Sequence, residues 1–594
     1  MKDEIKKIDI IDLFAGAGGL SNGFEQTGRF KVVGAIEINK AAQKTFIANH
    51  GYNPNIIIKD TNNESDITKI NFKKMLKDRK LKNNNLIVIG GPPCQGFSNV
   101  NRQKNYIISG NNQLIKEFVR AINEINPIAF LMENVKTIDS KIHKLFITKN
   151  LDENKYSYST ITHLQKIAYC EKDKFWGDDK IEILESEFKE ILPIFKKIIM
   201  KNNNIFPIIT NVNMLARIRS INRKIKKTNK FSLNQKEVKE LKQISQQLLS
   251  LLIDSKDNEW IYDVGLSEII MNSVELIKNL VSTEEEFNTF QFKKTLGPLF
   301  DLNTFLLRLV ELYEENIYLR DAINIRNNQS SLIIEVGVLS YSVVDYLERV
   351  FSYFGYEFDK KVVTASNFGV PQKRNRFFML GVRRDRLLKN RKVELPEKND
   401  SILTPYTTRD AIQDLECIAP QNEIVTYNAY CYPHQQNFTS IQSYYRKGVD
   451  SSVLHNHINT KSRDLSKQRF EAIKEMGGKN FHSLSTEFKK NYTDISRTQN
   501  TVYLRLNYDE PAPTVINVRK SMWNHPVNAV ALSIREAARL QSFRDSFVFK
   551  GNKDQQYQQV GNAVPPILAR SIAEKLLSLI GENPLLTISD ELSL

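Results

Sequence analysis

The sequence predicts an α/β protein: a parallel, doubly wound sheet interrupted by a helical insertion and joined to a smaller, loop-rich lobe. Three observations predict it. Short apolar strands alternate with helical stretches over the first 138 residues, a pattern that yields parallel sheets. That patterning stops and resumes only near Leu339. The chain has 594 residues, too many for one hydrophobic core, so two or three domains are expected.

The elements follow in order. Ile8–Leu13 reads as a buried strand, Lys31–Ile36 as a second and Asn55–Ile58 as a third. Strands at Leu86–Ile89 and Ile128–Met132 flank a helix at Gln113–Ile125. From Asp139 to Ser330 the texture changes. Gly177, Gly265 and Gly297 are its only glycines, basic and acidic residues nearly balance, and Ile181–Met200, Gln235–Ile253 and Leu302–Tyr318 repeat with helical period. A helix over Tyr341–Tyr353 and strands over Glu357–Thr364 and Arg376–Gly381 bring the sheet back. Residues 405–527 are polar and loop-rich, with strand candidates at Thr501–Leu506 and Thr514–Val518. Helices at Ile534–Ser542 and Pro566–Ile580 close the chain. The expected division is 1–138, 340–404 and 531–594 as one domain, 139–339 as an inserted helical domain, and 405–530 as the smaller lobe.

A net charge of +16 and a pI near 9.3 suit a polyanionic partner, although lysine-rich chains often bind nothing acidic. The four cysteines, Cys94, Cys170, Cys417 and Cys431, make no disulfide framework and fit a compartment where a thiol stays reduced. Cys431 and His434 have metal-ligand spacing, with His455 and His457 downstream. No second tight pair accompanies them, so no metal is expected. No apolar run reaches the roughly 18 residues of a membrane span, and MKDEIKKIDI lacks a signal-peptide core. A cytoplasmic protein with no membrane partner is the expectation.

Three segments carry chemistry. The loop Asp12–Leu20 (DLFAGAGGL) leaves the first strand and enters a helix, as nucleotide-cofactor loops do. A dinucleotide-binding turn is similar, but its third glycine position holds Ser21. Glu37 ends the second strand, where a carboxylate can accept ribose hydroxyls. Gly90–Ser98 (GGPPCQGFS) follows an apolar strand, and its Gly/Pro setting marks Cys94 as a reactive thiol rather than a core residue. Glu133 closes the next strand, so an acid and a nucleophile fall on one rim of the sheet. On their own these residues leave several reaction classes open.

The ordered set resembles the cytosine-5 DNA methyltransferases of bacterial restriction–modification type. DLFAGAGGLSNGF is similar to their cofactor loop, Ser65–Thr68 to the adenine-contacting block, GGPPCQGFS to the nucleophile loop, and Glu133-Asn134-Val135 to the catalytic glutamate block. Asn367–Arg376 (NFGVPQKRNR) resembles the block that supplies two active-site arginines. Ser533–Phe543 and Gln559–Pro566 resemble the last two blocks. The resemblance covers roughly 8–138 and 340–580, and it implies a Rossmann-like S-adenosylmethionine-dependent methyltransferase domain with a target-recognition domain at 405–530. Cys94, Glu133, Arg374 and Arg376 are then catalytic; for the arginines, ordinary phosphate contact is the other reading. S-adenosylmethionine is implied to lie against Phe14, Gly16, Gly18, Gly19, Leu20, Glu37, Ile38, Asp66, Ile67, Pro92, Leu114, Asn562, Ala563 and Val564. Gln95, Ser98, Gln372, Thr514 and Val515 are implied DNA contacts. Arg446, Lys447, Arg497, Arg505, Arg519 and Lys520 are candidates for base or phosphate contact.

A cysteine after the two prolines points to carbon rather than exocyclic-nitrogen methylation, and Ser98 favours DNA over transfer RNA. The implied partner is double-stranded DNA with a short recognition site, met by a monomer, with a cognate endonuclease as a separate chain. An RNA cytosine-5 methyltransferase and a non-catalytic DNA-binding regulator are the alternatives. The insertion departs from the family pattern. Its neutrality and its place after Glu133 lead to the expectation of an auxiliary lobe beside the DNA cleft that does not choose the site.

Overall fold

The computed structural model describes residues 6–93, 111–140, 144–148, 177–201, 331–402, 404–430, 438–492 and 495–593. Between 206 and 327 it describes 206–211, 214–215, 221, 230–231, 235–253, 255–282, 287–314, 317, 319 and 323–327. These fall into two compact units, one within 1–98, 114–140 and 347–594, the other within 99–113 and 141–346.

The first unit is built on a six-stranded sheet. Strands β1 (Ile8–Leu13), β2 (Phe30–Ile36), β3 (Leu86–Gly90) and β4 (Ala129–Val135) run parallel in the order β2-β1-β3-β4. The strand Asn375–Arg383 then pairs antiparallel with β4, and Tyr356–Thr364 pairs antiparallel with it at the edge. β3 is buried at every residue, as a strand covered on both faces must be.

Register decides what meets at the rim. Leu13 pairs with Ile36 and with Gly90, Gly90 pairs with Met132, and Arg376 pairs with Val135. Three parallel strands therefore end together, β4 runs three residues further, and the antiparallel strand begins beside its end. The expected strand at Asn55–Ile58 is a 3-10 turn, Pro54–Ile56, capped by Asn53, followed by one bridge from Ile57 to Ala35. Pro54 has no N–H to give a ladder.

Helix α1 (Gly19–Glu25) packs on the helix Pro566–Leu579. A Cβ on Gly19 would stand 2.4 Å from the Val564 carbonyl, so only glycine allows this approach. The last sequence block is thereby pressed against the first. Residues 405–530 do not separate from this unit. Ile441, Tyr444, Tyr445, Ile458, Leu506, Val515 and Trp523 join the same hydrophobic core as the sheet, while Phe470, Ile473, Phe481 and Tyr503 form a satellite core. The expected strands at 501–506 and 514–518 are absent apart from a two-residue pairing of Ala512–Pro513 with Gln372–Lys373 and a bridge from Arg505 to Asn524. Side-chain anchors such as Arg505, which donates twice to the Pro526 carbonyl, hold that segment instead.

The second unit corrects the expectation of a purely helical insertion. Helices Gln235–Ile253, Ser255–Val264, Ser267–Ser282 and Thr289–Glu314 are present, but so is an antiparallel sheet. Leu332–Ser342 is its central strand and pairs with Gly177–Ser186, Lys144–Thr148 and Ile323–Asn327. Ile181–Ser186 and Tyr341–Ser342, read from the sequence as helical, are strand. Ile181, Ile183 and Leu184 are buried while Glu182 and Glu185 face outward; a register shift opposite Ile334/Glu335 breaks the alternation and leaves a spacing of three that a short window shares with a helix.

Candidate active site

The loop between β1 and α1 turns through left-handed backbone at Phe14, Gly16 and Gly18. A Cβ on Gly16 would meet nothing within 4 Å, so the loop faces open space there. Glu37, just beyond β2, closes the other side. Its Oε2 accepts from the Gly16 N–H at 2.8 Å and its Oε1 from Asn39 N–H at 2.7 Å. Burial raises the carboxyl, against those backbone bonds. Ser65 joins the next segment on: its hydroxyl donates to the Ile58 carbonyl and accepts from Glu37 N–H. Asp66 caps the turn Ile67–Lys69 through Thr68, and Arg120 on the helix Asn111–Ile125 holds the carbonyls of Ile67 and Ile70 at 2.7 and 3.0 Å. Ile67 and Leu20 are buried, Leu114 is half-buried, and Ile38 stands 70% exposed beside Glu37. Ala563 and Val564 are buried against Gly19, and the exposed Asn562 accepts from Gln558.

The second part of the rim is tighter. Glu133 Oε1 lies 2.7 Å from Arg376 Nε. Burial pushes the Glu133 carboxyl up, while Arg376 and Arg374 pull it down. A Cβ on Gly91 would sit 2.8 Å from Glu133 Oε2, so the chain leaving β3 passes directly beside the acid. Asn134, 2% exposed, donates to the Pro92 carbonyl at 3.0 Å and accepts from Val135 N–H. The sequence reading assigned nothing to Asn134, although its place beside Glu133 is the available signal. Cys94, Gln95 and Ser98 lie outside the described residues, as do Cys431 and His434. His457 is bonded to the Ile418 carbonyl and the Ser533 hydroxyl, and His455 to the Thr426 carbonyl.

The arginine block divides. Arg376 meets Glu133, but Arg374 is wholly buried, donating at 3.0 Å to each of the carbonyls of Val515 and Gly561. Gln372 and Val515, expected as DNA contacts, are also fully buried. The Gln372 amide accepts from Val515 N–H at 2.7 Å and donates to Gln541 at 2.9 Å. Here they form an internal joint, with the segment 512–515 closing over them. Thr514 is half-buried and donates to the Lys373 carbonyl. Arg446, Lys447 and Arg519 are paired with Asp545, Glu591 and Asp554, and Lys520 lies 3.7 Å from Asp554. The side chain of Arg497 is outside the described residues.

A glycine loop and an acid after the first two strands, with a Pro-Pro-Cys segment after the third and a half-buried glutamate near the end of the fourth, define a Rossmann-like domain with its candidate site on one rim. The profile of the C-5 cytosine-specific DNA methylases matches residues 8–170 and 341–578, and the chain belongs to that family. It is 32% identical over 263 residues to the type II methyltransferase M.DdeI of Desulfomicrobium norvegicum, covering 41% of this chain and 60% of that protein. Similarity to M1.HphI of Haemophilus parahaemolyticus is 30% over 244 residues, 41% of this chain and 53% of the relative. M1.ScrFI of Lactococcus lactis is 40% identical over 132 residues, 22% of this chain and 30% of its own length. The chain thus spans a little over half the length of the first two.

Proposed function

We propose that this chain methylates carbon 5 of cytosine in double-stranded DNA at a short specific site, protecting host DNA in a restriction–modification system. It would act as a monomer in the cytoplasm, with any endonuclease on a separate chain. The observation that carries the reading is the rim itself: a half-buried Glu133 paired with Arg376, beside the strand end that leads into the Pro-Pro-Cys loop.

The donor that fits is S-adenosylmethionine. Glu37 keeps lone pairs for two hydroxyls after accepting Gly16 and Asn39, Ile38 offers an exposed apolar face, and the loop is open at Gly16. When bound, that cofactor supplies an electrophilic methyl group on a sulfonium. Cys94 thiolate adds to carbon 6 of the base, forming a C–S bond and sending the electron pair towards carbon 5 and the ring nitrogen. Glu133, its proton favoured by burial, donates to that nitrogen. Arg376 orients Glu133 and offers positive charge beside the base. After carbon 5 has taken the methyl, loss of its proton to a base and expulsion of the Cys94 thiolate restore the ring. A stacked base cannot be reached from both faces, so the cytosine is flipped out.

Bisulfite sequencing of DNA from cells expressing the chain should show one methylated sequence context, lost with Cys94→Ser. Unmethylated DNA with a folded, expressed protein would end this reading.

A further inference from the structure

Behind the glycine loop lies a set of ionisable groups with no part in the chemistry above. His50, at the C-terminal end of α2 (Lys40–Asn49), stacks on Phe46 with ring centroids 4.0 Å apart. Its Nδ1 lies 2.7 Å from the Phe46 carbonyl and its Nε2 3.3 Å from Glu25 on α1. Asp12, 1% exposed at the end of β1, faces the same group, and one of its oxygens has no hydrogen-bond partner. Gly18 rests on this floor: a Cβ there would be 3.0 Å from the Phe46 ring and 3.5 Å from His50 Cε1.

We propose that His50, as an imidazolium donating from Nδ1 to the Phe46 carbonyl and ion-paired through Nε2 with Glu25, is the positioning residue of the cofactor loop, tying α2 to α1 beneath Gly18 and so setting affinity for the adenosyl ligand. A carbonyl at Nδ1 requires a proton there, and a carboxylate at Nε2 favours a second. The cluster supports it. Burial disfavours the charge on His50, but Glu25, the Phe46 carbonyl and Asp12 outweigh it and hold the ring above its usual value. Burial pushes Asp12 up to about 7, against its bond to Ser21 and the charge of His50, with Glu37 and Glu25 adding to the rise. Both groups bind protons more tightly folded than unfolded. Their contribution is therefore complete at low pH and fades as pH rises through neutrality.

This rests on the cofactor reading, so the test separates the two. Affinity of the full-length chain for S-adenosylhomocysteine would be measured from pH 6 to 9, with melting temperature of the ligand-free protein alongside. Wild type should lose roughly tenfold in affinity across that range. His50→Gln should bind weakly throughout with a flat profile, and its melting-temperature deficit should shrink as pH rises. The ligand's own ammonium titrates alike in both proteins, so the difference profile is the readout. Should His50→Gln not fold, Glu25→Gln at a part-exposed position should move the wild-type midpoint to lower pH. Variants that keep the wild-type affinity and profile overturn the role of His50. Absence of binding by wild type at every pH removes the cofactor reading and this role with it.

Discussion

The interiors of the two units hold different things. The sheet unit buries whole arginines: Arg374 on the carbonyls of Val515 and Gly561, Arg539 on Asp414 and Asp545, and Arg570 on Glu591. The insertion is filled with side chains such as Ile183, Phe195, Leu248, Ile261, Leu306 and Val336. Among its described residues the buried polar groups are serines, Asn303, Glu237 and Glu335, with no arginine or lysine. A guanidinium in the core must recover its hydration from fixed acceptors, whereas an apolar core needs only volume. The arginines therefore pin segments far apart in sequence into one arrangement, and the rim with Glu133 stands on that arrangement. The insertion relies on fewer and mostly uncharged braces of this kind, such as Asn303 on the backbone of Ile209.

The largest effects should come from the rim. Cys94→Ser should abolish transfer, and Glu133→Gln, which keeps the shape but not the proton, should cut turnover by about 10²- to 10⁴-fold. Both should leave cofactor affinity near wild type by calorimetry. Turnover by either at the wild-type rate would dissolve the distinction between a chemical rim and an inert one. The neighbouring arginines should then part company. Arg374→Ala leaves two buried carbonyls without donors, a loss of about 1–3 kcal/mol for each, visible in denaturant melts. Arg376→Ala should melt close to wild type and fail in turnover.

That split was only half legible in the sequence. The parallel strands, the glycine loop, Glu37 and the Glu133 strand end were readable because each is local: a run of apolar residues, a glycine cluster, an acid where a strand stops. Arg374 and Arg376 sit two residues apart in one motif, and nothing local says that one turns inward to Val515 and Gly561 while the other meets Glu133. The burial of Gln372 is illegible for the same reason, since its partners Val515 and Gln541 lie far along the chain. In the insertion, a register shift breaks the alternation in Ile181–Ser186 and leaves the exposed glutamates at helical spacing. The missing strands at 501–506 and 514–518 reflect β-forming residues held by side chains rather than by a neighbouring ladder.

Acid should reveal the contrast at a smaller scale. Burial alone would raise Asp545, but Arg539, with Arg535 and Arg446, overrides it and holds the carboxyl at about 2. A depressed carboxyl contributes stability that is present above its unfolded value and lost as pH falls through its folded one. Between pH 4 and 2 the sheet unit should thus lose about 2 kcal/mol from this group. The insertion's ion pairs, such as Lys144–Asp179, are part-exposed and should matter less. Hydrogen exchange at pH 3 should find the sheet unit opening first; the reverse order would show that its buried arginines are not what holds it.

The smallest effect, and the sharpest on function, should follow removal of the insertion. Its strand Leu332–Ser342 pairs only within its own unit among the described residues, and its core is separate from that of the sheet. A short Gly/Ser linker from Ser140 to Val343 therefore removes that sheet and its helices and keeps every residue of the arginine braces in the chain. We expect the excised protein to methylate the same sequence, with a rate or affinity lower by no more than about tenfold, or 1.4 kcal/mol. The near balance of charge in the insertion leads to this, since non-specific hold on DNA comes mainly from cations that displace counterions. The salt dependence of DNA binding should accordingly keep its slope. Bisulfite reads with a new sequence context would make the insertion part of the recognition surface, and a shallower slope at an unchanged context would make it a DNA clamp.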